Sequence, residues 1–446
     1  MRWKILYVIS FFAICLIPSA GLLPGGQETS AENRKLAPAP VLQDEDGLNV
    51  NFLKDAGTYF EDHFGLRNEL VTANAWLMAK VLGVSAEDSV IVGTDDWLYY
   101  KDSLGDYQGS ERMSERQLFD VAHTLAMVQQ YAQQEGISFA FTIAPNKNSL
   151  YGGNMPYYYR YFRTDGNNMS RIRKYLEEEQ VNYVELYGTL AGRGEMLYHS
   201  RDSHWNNQGA AIASDGILGS LEKEHPSYET RDFELRRDFE GDLAAMLYPA
   251  AVETEDEVYY DPQPQFQYVE EVESNFEPKI STENAQASGS LVMYRDSFGN
   301  ALLPYMAEAY ANAYFSRGVP YQLSDLVACK ADTLVIERAE RFLPDMAENA
   351  PVMPALIAAG SELQNAKYSE KIPNLAVTNQ GVYTKISGKV PGELLGTKSR
   401  IYIRVNQLLN YEAFPVTLED GEEGFELYVV TKSLNDADNV FELYIL

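Results

Sequence analysis

A serine, a histidine and an aspartate in two short motifs have the residue types that acyl transfer needs. Asp202 and His204 lie in the run Asp-Ser-His-Trp-Asn-Asn, and Ser297 lies in Tyr-Arg-Asp-Ser-Phe-Gly-Asn, directly after an apolar run. A serine hydroxyl is a weak nucleophile at neutral pH unless a base takes its proton, and imidazole has a pKa suited to that exchange. An aspartate beside the imidazole fixes its tautomer and stabilises the imidazolium. The two motifs therefore predict a Ser-His-Asp catalytic triad.

Each motif also has an ordinary structural explanation. Ser297 could be the N-cap of the next helix, and His204 could be a packed histidine at a capped helix start. Both motifs, however, are expected where a strand ends or a helix begins. At such a turn the free N–H groups of the helix can face a developing oxyanion. This convergence favours the catalytic interpretation.

Two polar residues follow another apolar strand and are expected at the same edge of the sheet. Asn146 and Lys147 come shortly after the predicted strand at residues 138–144. The Asn146 amide could be a second oxyanion donor, and Lys147 could bind a carboxylate or hydroxyl of the substrate. The alternative for both residues is loop capping beside Pro145.

Arg295 and Trp205 adjoin the predicted triad. Arg295 could orient the substrate, although an ion pair with Asp296 or Glu337 is the favoured expectation. Trp205 is expected to pack the histidine loop rather than to stack on a sugar ring.

The composition excludes several classes of function. The 446 residues include 65 acidic and 36 basic side chains, which argues against binding nucleic acid or an anionic lipid surface through the body of the protein. The five histidines are scattered, so we expect neither a metal site nor a cofactor. With Cys15 inside the N-terminal apolar run, Cys329 is the one cysteine left for an exported body, and no disulfide is expected there.

The N-terminus has the pattern of an export signal. Arg2 and Lys4 flank an apolar run that extends from Ile5 to Ile17 and is followed by Pro-Ser-Ala-Gly. Residues 1–24 are therefore predicted to be either a cleaved signal peptide or an uncleaved membrane anchor, and residues 25–47 a linker. Both alternatives predict an extracytoplasmic protein, secreted or anchored.

Strands alternate with helices through the central part of the chain, which predicts an α/β domain with a doubly wound, mainly parallel sheet at residues 48–370. Ligands of such sheets bind at the carboxyl ends of the strands. An insertion at 228–289 is expected to form a lid or groove wall over the site, or a solvated excursion. The pattern of residues 371–446 predicts a small β-rich module, which we interpret as a β-sandwich. The predicted core elements are helices at about 114–135, 168–179, 207–223 and 300–311, and strands at 138–144, 181–186, 291–294, 313–315 and 333–337.

The motif at residues 202–205 resembles the Asp-x-His-Trp signature of the DHHW and alginate O-acetyltransferase-like family of the SGNH hydrolase superfamily. In that family the Asp-His pair precedes the serine. Further runs fit the family in order, at residues 59–67, 96–99, 145–151 and 335–338. One departure is Ser203, which stands where the first histidine of the DHHW name would be.

The resemblance implies an SGNH-hydrolase-like fold and an extracytoplasmic serine-dependent O-acyltransferase that acetylates a cell-surface polysaccharide. It also implies that a membrane-bound O-acyltransferase could supply the acyl group. If water instead of a sugar resolves the acyl-serine, the enzyme is a carbohydrate esterase. A non-catalytic glycan-binding scaffold of the cell envelope is the third possibility.

Overall fold

A computed structural model describes residues 2–16, 36–44, 47–164, 166–435 and 438–446. Its first helix, α1, spans Arg2–Leu16. The remainder of the predicted signal or anchor, 17–24, and most of the predicted linker lie outside the described residues. Within the described ranges, no helix combines the length and apolarity that a membrane crossing requires.

The segment ahead of the central domain consists of short hairpins and helices. In chain order these are β1 (Gln43–Asp44), β2 (Gly47–Leu48), α2 (Phe52–His63), α3 (Arg67–Leu77), β3 (Val90–Val92), β4 (Leu98–Tyr100) and α4 (Leu104–Gln108). The hairpin of β3 and β4 touches the loop that carries His204, since Leu98 N–H donates to the Ser200 carbonyl at 2.9 Å. This segment is therefore packed against the site.

The central domain alternates helices and strands as the sequence predicts. Its elements are α5 (Glu115–Gln134), β5 (Ser138–Ala144), α6 (Lys147–Tyr151), α7 (Tyr157–Tyr161), α8 (Asn168–Glu178), β6 (Tyr183–Val184), α9 (Leu186–Ala191), α10 (Asn207–Ser220), β7 (Asp232–Phe239), α11 (Asp242–Leu247), β8 (Glu255–Asp261), β9 (Gln267–Tyr268), β10 (Lys279–Glu283), β11 (Ser290–Tyr294), α12 (Gly299–Ala309), β12 (Asn312–Ser316), α13 (Ser324–Ala328), β13 (Thr333–Ala339) and α14 (Leu343–Met346).

The seven-stranded central sheet has the order β6-β5-β13-β11-β12-β10-β9. The first five strands are parallel, and β10 and β9 are antiparallel additions at one edge. Alternate side chains of β13 enter two separate cores, with Val335 on one face and Leu334 and Ile336 on the other. Strands that are buried on both faces read as continuous apolar runs. The predicted doubly wound, mainly parallel sheet is confirmed.

Two boundaries and the insertion differ from expectation. The strand predicted at 181–186 shortens to β6, while β13 continues to Ala339. The insertion at 228–289 is only partly an excursion, because its strand β10 pairs with β12 in the central sheet and buries Ile280 and Thr282. Pairing there covers an edge that β12 would otherwise expose. Strand β9 of the insertion pairs with β10, and the segment from β7 to β8 is a hairpin that carries α11.

The C-terminal strands form one antiparallel sheet of eight. They are β14 (Ile357–Ala358), β15 (Lys367–Ser369), β16 (Ala376–Asn379), β17 (Tyr383–Lys389), β18 (Ile401–Val405), β19 (Leu409–Thr417), β20 (Glu423–Val430) and β21 (Phe441–Ile445). The predicted β-rich module is confirmed, but its strands do not form the two separate sheets of the expected β-sandwich. The long strand β19 pairs first with β18 and then with β20, so the sheet curls continuously around its own core.

Candidate active site

The structure brings the three predicted triad residues into hydrogen-bond contact. Ser297 Oγ lies 2.9 Å from His204 Nε2, and His204 Nδ1 lies 2.8 Å from Asp202 Oδ1. A carboxylate only accepts, so Nδ1 carries the proton and Nε2 is left to accept the proton of the serine hydroxyl. This is the arrangement of a nucleophile, its base and the group that orients the base.

Backbone amides hold the Asp202 carboxylate in place. Its Oδ1 also accepts the His204 N–H at 2.8 Å, and its Oδ2 accepts the Asp242 N–H at 2.7 Å. Burial alone would raise the pKa of Asp202, but the neighbouring His204 charge and these hydrogen bonds hold the pKa below its ordinary value. Burial would lower the pKa of His204, and the Asp202 carboxylate outweighs that effect, so the pKa of His204 is raised.

Ser297 lies in the turn between β11 and α12, and the preceding aspartate builds that turn. Asp296 Oδ1 accepts the Phe298 N–H at 2.9 Å, and its Oδ2 accepts the Ala339 N–H at 2.7 Å. The Asp296 N–H donates to Glu337 Oε2 at 3.1 Å. The turn that carries Ser297 is thereby fixed to the end of the neighbouring strand β13.

Trp205 joins the segments that carry His204 and Ser297. Its indole Nε1–H donates to the Phe298 carbonyl at 3.1 Å, and the two rings pack edge to face at 5.0 Å. The side chain is buried. Trp205 therefore packs between the histidine loop and the serine turn, as its sequence context favoured, and sets their separation.

Lys147 has a structural position instead of the substrate contact expected for it. Its buried ammonium donates to the carbonyls of His199, Ser200 and Asp202, at 3.1, 3.0 and 2.5 Å. An ammonium has three protons, and all three are used. Burial lowers the pKa of Lys147 to about 8. The side chain thus anchors the loop that carries Asp202.

Arg295 also differs from expectation. It forms no ion pair within 4 Å among the described residues, and its guanidinium bonds the Asn275 and Glu277 carbonyls at 3.0 and 3.3 Å together with the Asn300 side chain. Burial lowers the pKa of Arg295 to about 10. Carbonyl oxygens take the place of the expected carboxylate partner because the insertion wraps past this strand end. Arg295 connects the insertion to the turn that carries Ser297.

The side-chain amide of Asn146 has N–H groups that could donate to an oxyanion. Its side-chain Oδ1 lies 3.4 Å from Arg341 Nη1, while its buried Nδ2 has no hydrogen-bond partner among the described residues. Its backbone N–H donates to Glu340 Oε2 at 2.8 Å. The N–H of Ser297 likewise has no acceptor in the described part of the chain. These are two donor groups with capacity for a ligand.

Asp242, in the insertion, is a site residue that the sequence analysis missed. Its Oδ2 accepts the Ser203 hydroxyl at 2.6 Å and lies 3.6 Å from His204 Nδ1. Burial and the charge of Asp202 raise the pKa of Asp242 to about 6. A Cβ on Gly241 would lie 2.4 Å from the Arg201 carbonyl, so glycine permits this close approach. A Gly-Asp pair ahead of an apolar helix was the available sequence signal.

Asp202, His204 and Asp242 offer possible ligand atoms within 4.8 Å of one another. The shared imidazole nitrogen is Nδ1, which donates its proton to Asp202. A metal would need that nitrogen deprotonated. The donor set therefore fits the triad better than a metal centre.

Comparison with known proteins identifies the fold around this site. Residues 90–286 match the family model described as an SGNH hydrolase-like domain of the acetyltransferase AlgX. The resemblance and the SGNH-hydrolase-like fold are thereby confirmed. The matched range contains Asp202 and His204 and ends before Ser297. No curated protein matches the chain.

Several solved structures are similar at low identity, and three of them follow. Bacillus cereus PatB1 with a sulfonyl adduct has 13% identity and a TM-score of 0.44, over 57% of this chain and 97% of that chain. A DHHW family protein of Eubacterium siraeum has 16% identity and a TM-score of 0.40, over 50% and 85%. The O-acetyltransferase domain of Pseudomonas putida AlgJ has 15% identity and a TM-score of 0.39, over 57% and 92%.

Proposed function

We propose that this protein is a serine-dependent O-acyltransferase that acetylates a hydroxyl of a cell-surface polysaccharide. The observation that carries the proposal is the continuous hydrogen-bond chain Ser297–His204–Asp202 at the carboxyl edge of the sheet. The family description, which names an acetyltransferase, supports the acyl chemistry and an acetyl group.

The first half-reaction loads the serine. His204 Nε2 takes the proton from Ser297 Oγ as the oxygen attacks the acyl carbonyl carbon of the donor. The tetrahedral intermediate then collapses, the bond to the leaving group breaks, and the leaving group receives the proton from the imidazolium. An acyl-serine and a neutral His204 remain.

The second half-reaction reverses these roles with a sugar. His204 takes the proton of an acceptor hydroxyl, whose oxygen attacks the acyl-serine carbonyl. Collapse breaks the bond to Ser297 Oγ, which recovers the proton from the imidazolium. Throughout, the Asn146 side-chain Nδ2 and the Ser297 N–H are the proposed donors to the oxyanion, because both lack protein acceptors.

The extracytoplasmic location, as a secreted or anchored protein, is part of the proposal. The exposed apolar side chains of α1, which begins at Arg2, support export. Supply of the acyl group by a membrane-bound O-acyltransferase rests on the family resemblance. We also propose a catalytic domain at 48–370 and a glycan-positioning β module at 371–446, whose sheet is extended by β14 and β15 from the preceding segment.

Esterase activity is the second candidate. The His204 side chain is 19% exposed, so water can reach the base that would activate it. Only a bound sugar hydroxyl at high effective concentration would divert the acyl group from water. A non-catalytic scaffold would have no need of the assembled triad.

The test is mass spectrometry of the protein after incubation with 4-nitrophenyl acetate and a panel of envelope glycans. We expect an acetyl adduct on Ser297 and acetylated glycan, and neither product with Ser297→Ala. An adduct without glycan product under any acceptor would favour the esterase. Absence of adduct and of ester turnover, with tight glycan binding, would favour the scaffold.

A further inference from the structure

Arg341 lies at the catalytic edge of the sheet without a role in the proposed mechanism. It follows β13, which is flanked by β5, the strand before Asn146, and by β11, the strand before Ser297. The Arg341 guanidinium carbon is 5.3 Å from the centre of the Phe298 ring, and the His204 ring is 4.9 Å from the same ring. The guanidinium and the catalytic base therefore flank one side chain.

The charge of Arg341 is not paired. Within the described ranges no Asp or Glu oxygen lies within 4 Å of it, although the chain has 65 acidic residues. Its one hydrogen bond, to Asn146 Oδ1, is long at 3.4 Å. Its Nε is buried without an acceptor, and its Nη2 is neither buried nor bonded.

Neighbouring arginines at the same strand ends behave differently. Arg295 uses its guanidinium on carbonyls and an amide, and Arg338 pairs with Asp345 at 3.0 Å. Arg341 differs from these two arginines because its guanidinium is half-buried and its Nη2 remains open to solvent.

Three aromatic rings hold this guanidinium in place. The rings of Tyr100, Phe298 and Phe342 lie 5.4, 5.3 and 4.8 Å from its central carbon. Such contacts stabilise a cation and restrict its motion without using its N–H groups. Asp102 and Asp242 act on the hydroxyl of the neighbouring Tyr100, and neither of them forms an ion pair with Arg341 within 4 Å.

We propose that Arg341 binds an anionic group, a carboxylate or a phosphate, on a substrate of this site. A fixed guanidinium with free donors is the protein group best suited to such anions, because its planar fork matches two oxygens at once. The proposal deepens the acyltransferase function and rests on it. The anion could be carried by the acyl donor or by the acceptor glycan.

Arg341→Met, with Arg173→Met as the control, tests the proposal. The control removes one exposed positive charge from α8, where Arg173 pairs only with Glu177. Two acetyl esters are compared, neutral 4-nitrophenyl acetate and anionic 4-acetoxybenzoate. Two acceptors are compared with the neutral ester, a neutral oligosaccharide and the matching oligosaccharide with a uronic acid.

Arg341→Met should lower kcat/KM for one anionic substrate by roughly 10- to 100-fold more than for its neutral counterpart, which is the scale of a charged hydrogen bond. A loss confined to the anionic ester assigns the donor, and one confined to the uronic acid assigns the acceptor. Arg341→Lys, which keeps the charge, should retain part of the preference, whereas Arg173→Met should resemble the wild type. Equal losses for neutral and anionic substrates would overturn the proposal.

Binding separates this proposal from the proposed function. Calorimetry measures the binding of two anions, benzoate and phenyl phosphate, with neutral benzamide as the control ligand. The two proteins compared are the Ser297→Ala variant and the double variant that also carries Arg341→Met. We expect anion binding that disappears with Arg341→Met. If no ester or glycan is turned over but this binding is present, the acyltransferase function fails and the anion site stands. If neither anion binds Ser297→Ala, the anion site is wrong whatever the turnover.

Discussion

Among the histidines that touch a carboxylate, His204 and His123 differ in that only His204 can serve as a base. His204 has Asp202 on one nitrogen and the Ser297 hydroxyl on the other. His123, on α5, has Glu179 at 2.8 Å on Nδ1 and Glu412 at 3.0 Å on Nε2. Carboxylates on both sides require protons on both nitrogens. His123 is thus held as an imidazolium, whereas His204 keeps one nitrogen free to accept a proton.

The location of His123 agrees with a structural role for this side chain. Glu412 lies on β19 of the C-terminal sheet and Glu179 follows α8, so His123 joins the two parts of the chain. Arg400 adds hydrogen bonds to Glu179 at 3.2 and 3.3 Å. Burial would lower the pKa of His123, but the hydrogen bonds of the two glutamates raise it. A carboxylate beside a histidine therefore signals catalysis only when the second nitrogen meets a group that can lose a proton.

The largest expected effect comes from Asp202→Asn. An amide at this position no longer selects the Nδ1–H tautomer of His204, so the imidazole cannot accept the Ser297 proton. We expect acyl turnover to fall by about 10⁴-fold while the thermal melt still shows a folded protein. The measurement is ester hydrolysis under single-turnover conditions. Near wild-type rates would mean that another carboxylate, such as Asp242, orients the base.

His123→Gln should act on stability and spare the chemistry. Removing the buried cation leaves two carboxylates facing each other, which we expect to destabilise the fold by about 3 kcal/mol. Urea unfolding measures this, and ester turnover by the folded fraction should stay at the wild-type level. A comparable loss of turnover would show that the module interface controls the active site.

The pH dependence of stability sharpens the same contrast. Because the folded-state pKa of His123 is raised, its contribution is complete below the ordinary histidine pKa and is lost as pH rises through the folded value. The free energy of unfolding of the wild type should therefore fall on the alkaline side of that range. Unfolding curves of His123→Gln should lack this part of the decline. Identical slopes for both proteins would remove the imidazolium from the interface.

Asp242→Asn should shift the pH profile of catalysis modestly. The negative charge of Asp242 helps to raise the pKa of His204, so its removal should move the acidic limb of kcat/KM to lower pH. Ser203 can still donate to the amide oxygen, which keeps the loop in place. The check is kcat/KM for 4-nitrophenyl acetate across the pH range, and an unmoved limb would limit Asp242 to a structural role.

Trp205→Phe is expected to have the smallest effect. The indole bond to the Phe298 carbonyl is lost while the ring contact largely remains, so we expect about 1 to 2 kcal/mol of destabilisation and a loss of turnover of only severalfold. Thermal melting and ester kinetics measure both. No change in either would mean that the two catalytic segments are held apart by their own backbones.

The sequence predicted that Ser297, His204 and Asp202 come together, and it predicted the alternating core, because short local patterns indicate both. Apolar runs locate β5 and β11, and the residues that follow a parallel strand must meet at one sheet edge. It failed where partners are distant. Lys147 is bound by carbonyls about fifty residues away, and Asp242 and Arg341 reach the site from the insertion and from beyond β13. No local periodicity encodes such contacts.

The central claim is that Ser297 is a nucleophile activated by His204. Labelling with a sulfonyl fluoride, followed by peptide mapping, tests it most directly. We predict one adduct on Ser297, formed at a rate that rises with pH through the raised pKa of His204, and almost none with His204→Ala. An adduct on another residue, or labelling of Ser297 at the wild-type rate in His204→Ala, would contradict the account.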